Sequence, residues 1–198
     1  FLQLGREKTL KYMASHVSHV GVHDHGFNNV STYGNLRRLM LEGKIPCDLN
    51  ELAYTEIALK ASGAVQAARH ATTTVKQAWS PVKGAPGVVP SGYIYSFNGP
   101  QSLFSDTIRS MRSLVVAHQL GHALMGEGDK PTNLLHRAIE HAATQVGPVV
   151  SKPHFDKVMA CIELARAEGG RALCGGEAVK PEGRCADGWF IAPTIIEG

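Results

Sequence analysis

The hydrophobic pattern changes kind near Val146, and that change constrains the fold more than any other feature of the sequence. Up to that point, apolar residues recur at helical steps. Gln101 to Met125 is the clearest case. Phe104, Ile108, Met111, Val115, His118, His122 and Met125 are spaced four, three, four, three, four and three, one face of a helix. Pro100 precedes it as a start signal and Gly126 follows as a stop. Leu49 to Ala68 carries a stripe of Ala53, Ile57, Ala61, Ala64 and Ala68, small enough to let a neighbouring helix approach closely. Phe1 to Ala14 has helix-forming composition. A shorter helix follows Pro131, with Leu135, Ala138 and Ala142 inward. His70 to Gly99, rich in Pro, Gly and Thr, reads as a long loop with a short Tyr93–Phe97 strand.

From Gly147 the pattern is helix, strand, loop, strand. Ser151 is placed to cap a helix, with Pro153 in its first turn. Phe155, Val158, Met159, Ile162 and Ala165 form its apolar stripe, and Gly169-Gly170 ends it. Arg171 to Cys174 then reads as a strand, and a second strand lies around Trp189–Ala192. This alternation belongs to an α/β architecture. The expected fold is therefore mainly α over residues 1–146, followed by a small α/β portion over residues 147–198.

Bulk composition excludes several classes of function. A length of 198 residues fits one ordinary domain or two small ones, and 43% apolar content is enough for a packed core. With 20 basic and 17 acidic residues the net charge is only +3, and no basic run calls for nucleic acid or an anionic membrane. No apolar stretch approaches the ~20 residues of a spanning helix. Cys47, Cys161, Cys174 and Cys185 form no Cys-x-x-Cys and no zinc spacing, so they are expected to be reduced, partly buried thiols in a cytoplasmic protein. The chain starts at Phe1 without a charged-then-apolar leader, which suggests a removed segment or an internal fragment.

Nine of the ten histidines fall before residue 147. His118 and His122, at i and i+4, mimic the zinc pair of metalloproteases, but Gln119 occupies the place of the general base and cannot take a proton. Both also lie in an apolar seam, so packing explains them and no metal site is expected. His16, His19, His23, Asp24 and His25 form a denser cluster, with Gly21 and Gly26 around it and Asn28-Asn29 after it. It suits either recognition of a hydroxyl-rich ligand or a satisfied polar network. Asp106, in the first turn of a helix, is either stabilised there by the helix dipole and by Arg109 or Ser102, or a working carboxylate.

His23-Asp24-His25-Gly26-Phe27, Tyr95-Ser96-Phe97-Asn98-Gly99-Pro100 and Asp106-Thr107-Ile108-Arg109 together resemble the six-hairpin glycosidases, particularly the unsaturated glucuronyl hydrolases. The resemblance covers roughly residues 10–146 and implies a toroid of paired helices. It implies Asp106 as the acid/base that protonates the C4=C5 bond of an unsaturated uronic acid and activates water. It further implies His23, Asp24, His25, Tyr95, Phe97 and Asn98 as substrate-binding residues, and a small carbohydrate as the ligand. The family's second acidic residue has no clear counterpart here. Twelve helices of ~12 residues with ~4–6-residue connections need ~200 residues, so the ring is incomplete in 146 and its apolar faces are open to self-association.

Gly147-Pro148, Ser151, Ala165-Arg166-Ala167-Glu168-Gly169-Gly170, Cys174-Gly175-Gly176 and Gly188-Trp189-Phe190-Ile191-Ala192-Pro193-Thr194 resemble an internal segment of the aldehyde dehydrogenase catalytic domain, of the semialdehyde type. The resemblance implies NAD or NADP only where the domain is complete. The sequence has no Gly-Gln-x-Cys-like nucleophile and no Gly-x-Gly-x-x-Gly cradle, so no cofactor is expected. The chain is expected to be a composite of glycosidase-like and dehydrogenase-like parts. The alternatives are a fragment of an aldehyde-oxidising oxidoreductase and a non-catalytic helical binding module.

Overall fold

The computed structural model describes residues 1–73, 78, 86–97, 99–126, 130–145, 151–180, 186–192 and 194–197. The chain divides into two units, Phe1–Thr74 with Ser91–His141 and Val75–Pro90 with Ala142–Gly198. The Val146–Gly147 join lies outside the described residues.

In the first unit, α1 (Leu2–Tyr12) and α2 (Ala14–Val17) lead through a short loop into a longer helical run. That run comprises α3 (His25–Asn29), a π-turn (Val30–Gly34) and α4 (Asn35–Leu41). α5 (Leu49–Ala68) begins where Asp48 accepts hydrogen bonds from the Asn50 and Glu51 amides. β1 (His70–Thr72) and β2 (Gly92–Ile94) pair antiparallel, His70 opposite Ile94. A 3₁₀ turn (Ser105–Ser110) runs into α6 (Met111–Gln119), and the two-residue strands β3 (Leu124–Met125) and β4 (Pro131–Thr132) follow as an antiparallel pair. α7 (Leu134–Thr144) closes the run. One apolar cluster gathers Ala67, Ile94, Met111, Leu114, Ala117, Leu134 and Ala138; a second gathers Val30, Tyr33, Ala58 and Leu59.

Three expectations about this unit change. The helix expected over 101–125 is only nine residues of α-helix. Gly121, at φ +74, ends it: the Gly121 amide bonds the His118 carbonyl and the His122 amide bonds that of Ala117. This is the paired closure of a Schellman turn, so His118 and His122 do not share a helical face. On α5 the buried face is Thr55, Ala58, Leu59, Ser62, Gly63, Gln66 and Ala67, whereas Ile57 of the expected stripe is 65% exposed. A Cβ on Gly63 would come within 2.4 Å of the Ala117 Cβ and 2.7 Å of the Ser113 carbonyl oxygen, so α5 and α6 touch through the one residue without a side chain. In α7 it is Leu134, Ala138 and His141 that point inward, with Leu135 and Ala142 half-buried.

In the second unit, α8 (Lys152–Ala167) starts at Ser151, whose hydroxyl accepts from the His154 amide at 3.4 Å, with Pro153 in the first turn. Gly169, at φ +99, ends it by the same double closure, onto the Arg166 and Ala165 carbonyls. β5 (Arg171–Cys174) pairs antiparallel with β8 (Ile195–Glu197), and β6 (Ala178–Val179) with β7 (Phe190–Ile191). Ile162 and Phe190 are buried; Phe155, Val158, Met159 and Ala165 of the expected stripe are half-buried. Among the described residues no helix is long and apolar enough to cross a membrane.

The interior of the first unit is rich in histidine. His141 is buried and its Nδ1 accepts the Ile94 amide at 3.0 Å, so the ring is held neutral. Burial, then the nearby His23, pushes its pKa down to about 4. Burial also lowers His25 and His70. Above the ordinary histidine value near ~6.5 these rings cost nothing in charge; below it the unfolded chain takes protons that the folded chain refuses. Stability should therefore be full above about pH 6.5 and fall as pH drops toward 4, with His141 alone contributing roughly 3 kcal/mol. Urea midpoints across that range check this, and a His141→Asn protein, which keeps an acceptor for Ile94, should show a flatter decline.

Candidate functional site

Arg69, just past the end of α5, is buried, and its guanidinium reaches three carbonyl oxygens. It donates to Val20 through Nη1, to Ser96 through Nη2, and to Tyr95 through Nε at 3.2 Å. It also lies 4.5 Å from the centre of the Tyr95 ring. One side chain thus holds the loop before α3 and the segment after β2. Ser96 extends the second of these: its hydroxyl accepts the Phe104 amide at 2.8 Å and contacts the Thr107 hydroxyl at 2.8 Å, placing the 3₁₀ turn.

Gly26 sets how closely that turn can approach α3. A Cβ there would lie 2.3 Å from the Arg109 carbonyl oxygen and 2.5 Å from the Ser110 Cα, a space only glycine leaves open. The Ser110 hydroxyl donates to the His23 carbonyl across the same seam. The result brings residues 83 positions apart into contact: His23 Nε2 is 3.3 Å from Asp106 Oδ1. His23 Nε2 is also 3.6 Å from Asp24 Oδ1, and Arg109 Nη2 is 3.8 Å from Asp106 Oδ2. The His23 ring is buried, while the Asp106 side chain is 43% exposed. Phe97 meets the His23 ring edge-on at 4.2 Å between centroids, and Phe104 lies 6.5 Å away. Both phenylalanines keep nearly half of their surface in solvent, at 49% and 46%.

The structure therefore gathers His23, Asp24, Phe97 and Asp106. His25 faces the other way. It is buried, its Nε2 donates to the His19 carbonyl at 2.8 Å, and its Nδ1 meets the Ser62 hydroxyl at 2.9 Å and the Asn29 amide at 3.2 Å. Both ring nitrogens are occupied by the fold. Tyr95 is half-buried under Arg69, and its backbone completes the brace. Asn98 lies outside the described residues. Phe104 was placed in a core stripe by its spacing and instead lines the site. Nothing in the sequence signals the brace at Arg69, because its partners are backbone oxygens rather than acidic side chains.

The second unit places Cys161 on α8 as an exposed free thiol, and Cys47 of the first unit is exposed as well, not partly buried as expected. The Cys174 side chain and Cys185 lie outside the described residues. Arg166 Nη2 donates to the Gly176 carbonyl at 3.0 Å, and the Thr194 hydroxyl accepts from the Gly176 amide at 2.9 Å while donating to the Ala192 carbonyl at 2.7 Å. These contacts fix the turn that follows β5.

Residues 129–198 match the aldehyde dehydrogenase family. The chain is 40% identical over 55 residues to 4-trimethylaminobutyraldehyde dehydrogenase A of Danio rerio, covering 27% of this chain and 11% of that protein. It is 52% identical over 53 residues to betaine aldehyde dehydrogenase of Cereibacter sphaeroides, covering 26% of this chain and 10% of that one. The chain thus spans about a tenth of the length of the curated relatives it matches. The first 128 residues, including every residue of the His23–Asp106 cluster, lie outside the family match. No solved structure matches the chain.

Gly26→Ala should force α3 and the 3₁₀ turn apart and cost about 1–3 kcal/mol. The same change should shift the NMR resonances of the His23 ring, because Asp106 and Ser110 retreat from it. A protein with unchanged stability and unchanged His23 signals would contradict the close approach.

Proposed function

We propose that the tail is an internal piece of the catalytic domain of an aldehyde-oxidising oxidoreductase, contributing scaffold rather than reacting groups. The observation that supports this most is the match over residues 129–198, with 52% identity in a 53-residue stretch to an aldehyde dehydrogenase. The capped helix α8, its glycine stop and the short strands after it carry the residues on which the likeness rests. An oxidation of this class needs a thiolate to attack the aldehyde and a nicotinamide to accept hydride. Cys161 stands on a helix outside any Gly-Gln-x-Cys context, and the sequence has no Gly-x-Gly-x-x-Gly cradle. These residues do not fit NAD or NADP, and no hydride-transfer step is assigned to them. The purified chain, mixed with betaine aldehyde and NAD, should form no NADH above the aldehyde-free control. Aldehyde-dependent NADH formation would overturn the scaffold role.

A second activity is favoured by the geometry of the first unit, where a part-exposed carboxylate meets a buried imidazole between two half-exposed phenyl rings. We propose that this unit acts on unsaturated uronic-acid sugars, as its likeness to the six-hairpin glycosidases implies, with its helices forming part of such a toroid. In that role the Asp106 carboxyl gives a proton to C4 of the C4=C5 bond, and the resulting carboxylate takes one from the water that adds at C5. The hydrated product then releases its glycosidic partner. Asp24 and His23 support the carboxylate, and Phe97 and Phe104 offer stacking faces for the ring. The exposed Leu49 and Ile57 on α5 would be the face through which such a partial ring self-associates. With an unsaturated uronic-acid disaccharide, loss of the double-bond absorbance should be slower by ~100-fold or more in Asp106→Asn. An Asp106→Asn protein as fast as wild type would exclude the role.

A further inference from the structure

We propose that His23, Asp24 and Asp106 form a binding site for one divalent transition-metal ion of the zinc class, and that the bound ion holds Asp106 ionised and so excludes its acid/base role while it is present. One ligand atom from each residue lies within 4.8 Å of the other two. His23 Nε2 stands 3.3 Å from Asp106 Oδ1 and 3.6 Å from Asp24 Oδ1. Ligands ~2.0–2.2 Å from a tetrahedral zinc are about 3.3–3.6 Å from one another, so the imidazole is already at ligand spacing from both carboxylates. One neutral imidazole and two carboxylates also balance the charge of a dication, and nitrogen with oxygen donors suits zinc, manganese or iron rather than a thiolate-seeking ion.

The arrangement is more than an acidic patch. Its nitrogen donor is a buried histidine whose Nε2 faces both carboxylates. The ring is held before any ion arrives, by the Ser110 hydroxyl on its backbone carbonyl and by the edge of Phe97. Asp106 presents Oδ1 to the histidine and Oδ2 to Arg109, which leaves Oδ1 for the ion. Asp24 is fixed by its place at the start of α3, where its carbonyl accepts the Phe27 and Asn28 amides. An ion would take the position now held by the Nε2 proton, and the ring proton would move to Nδ1. That atom is buried with no hydrogen-bond partner among the described residues. The ligand therefore lacks the outer hydrogen bond that tightens most zinc sites, which sets the expected affinity in the micromolar range rather than lower.

The test uses the whole chain purified without a polyhistidine tag and titrated with zinc chloride by calorimetry, with retained zinc measured after equilibrium dialysis. One zinc per chain is expected, with binding weakened ~10-fold or more in an Asp24→Asn/Asp106→Asn double variant. These side chains are part-exposed and keep their shape in the variant, and circular dichroism matching wild type shows that its fold is retained. A His118→Gln/His122→Gln variant should bind as wild type does, since His118 is on α6 while His122 lies past the Gly121 turn, off its helical face. Cobalt(II) in place of zinc should give visible absorption that the aspartate variant loses. Absence of zinc binding in wild type, equal binding in the folded aspartate variant, or loss of binding in the His118/His122 variant would each overturn the site.

Discussion

The first unit is organised around a buried positive charge that is answered by backbone rather than by an acid. Arg69 sends its donors to Val20, Tyr95 and Ser96, and burial pulls its guanidinium below the ordinary value. A planar fork can bridge three oxygens that a lysine ammonium could not span with the same geometry. Each of those oxygens belongs to an irregular segment with few ladder bonds of its own. Losing the guanidinium would leave buried carbonyls unpaired, at ~1–3 kcal/mol apiece. The helices supply the frame, and this residue ties to it both loops that carry His23, Asp24 and Phe97, alongside the bonds from Ser110 and Ser96.

From that tie follows an uneven distribution of rigidity. The imidazole of His23 and the hydroxyls of Ser96 and Ser110 are buried and hydrogen-bonded or packed, whereas Asp106, Arg109, Phe97 and Phe104 open toward solvent. A site of this kind holds its nitrogen still and leaves its oxygens accessible. The second histidine, His25, takes no part in it because the interior uses it. Ser62, Asn29 and the His19 carbonyl hold that ring and Gln66 accepts its backbone amide, so the polar stripe of α5 is an internal network rather than a surface. Within the histidine cluster, His25 belongs to the internal network and His23 faces the two carboxylates.

What the sequence disclosed was local. The Ser151 cap, Pro153 and the glycine stop at Gly169 are encoded within four residues of the structure they make, and the limits of α8 follow from them. The inward face of α5 was not legible, because alanine fits a buried or an open stripe equally well. The true face is marked by Gly63 and Ser62, whose meaning depends on Ala117 and Asn29 elsewhere in the chain. Gly121 stopped α6 earlier than the apolar period suggested, since a left-handed residue can close a helix even where the hydrophobic spacing continues. Contact between His23 and Asp106 spans 83 positions and leaves no periodic trace in the sequence.

The second unit differs in how much structure its own residues can sustain. Its strands form two-stranded ribbons, and such ribbons are marginal unless a helix or further strands cover them. Among its described residues only Pro90, Ala143, Ile162 and Phe190 are buried apolar side chains, while Leu164 and Trp189 stay exposed. The Phe155–Trp189 contact at 5.5 Å and the Lys152 ammonium over the Trp189 ring cover part of that surface without sealing it. The 53- to 55-residue stretches shared with much longer dehydrogenases carry the local signals for a helix and its strands. Such encoding is local because caps and glycine stops need only neighbours in sequence. A reactive cysteine and a nucleotide cradle, by contrast, need partners distant in sequence.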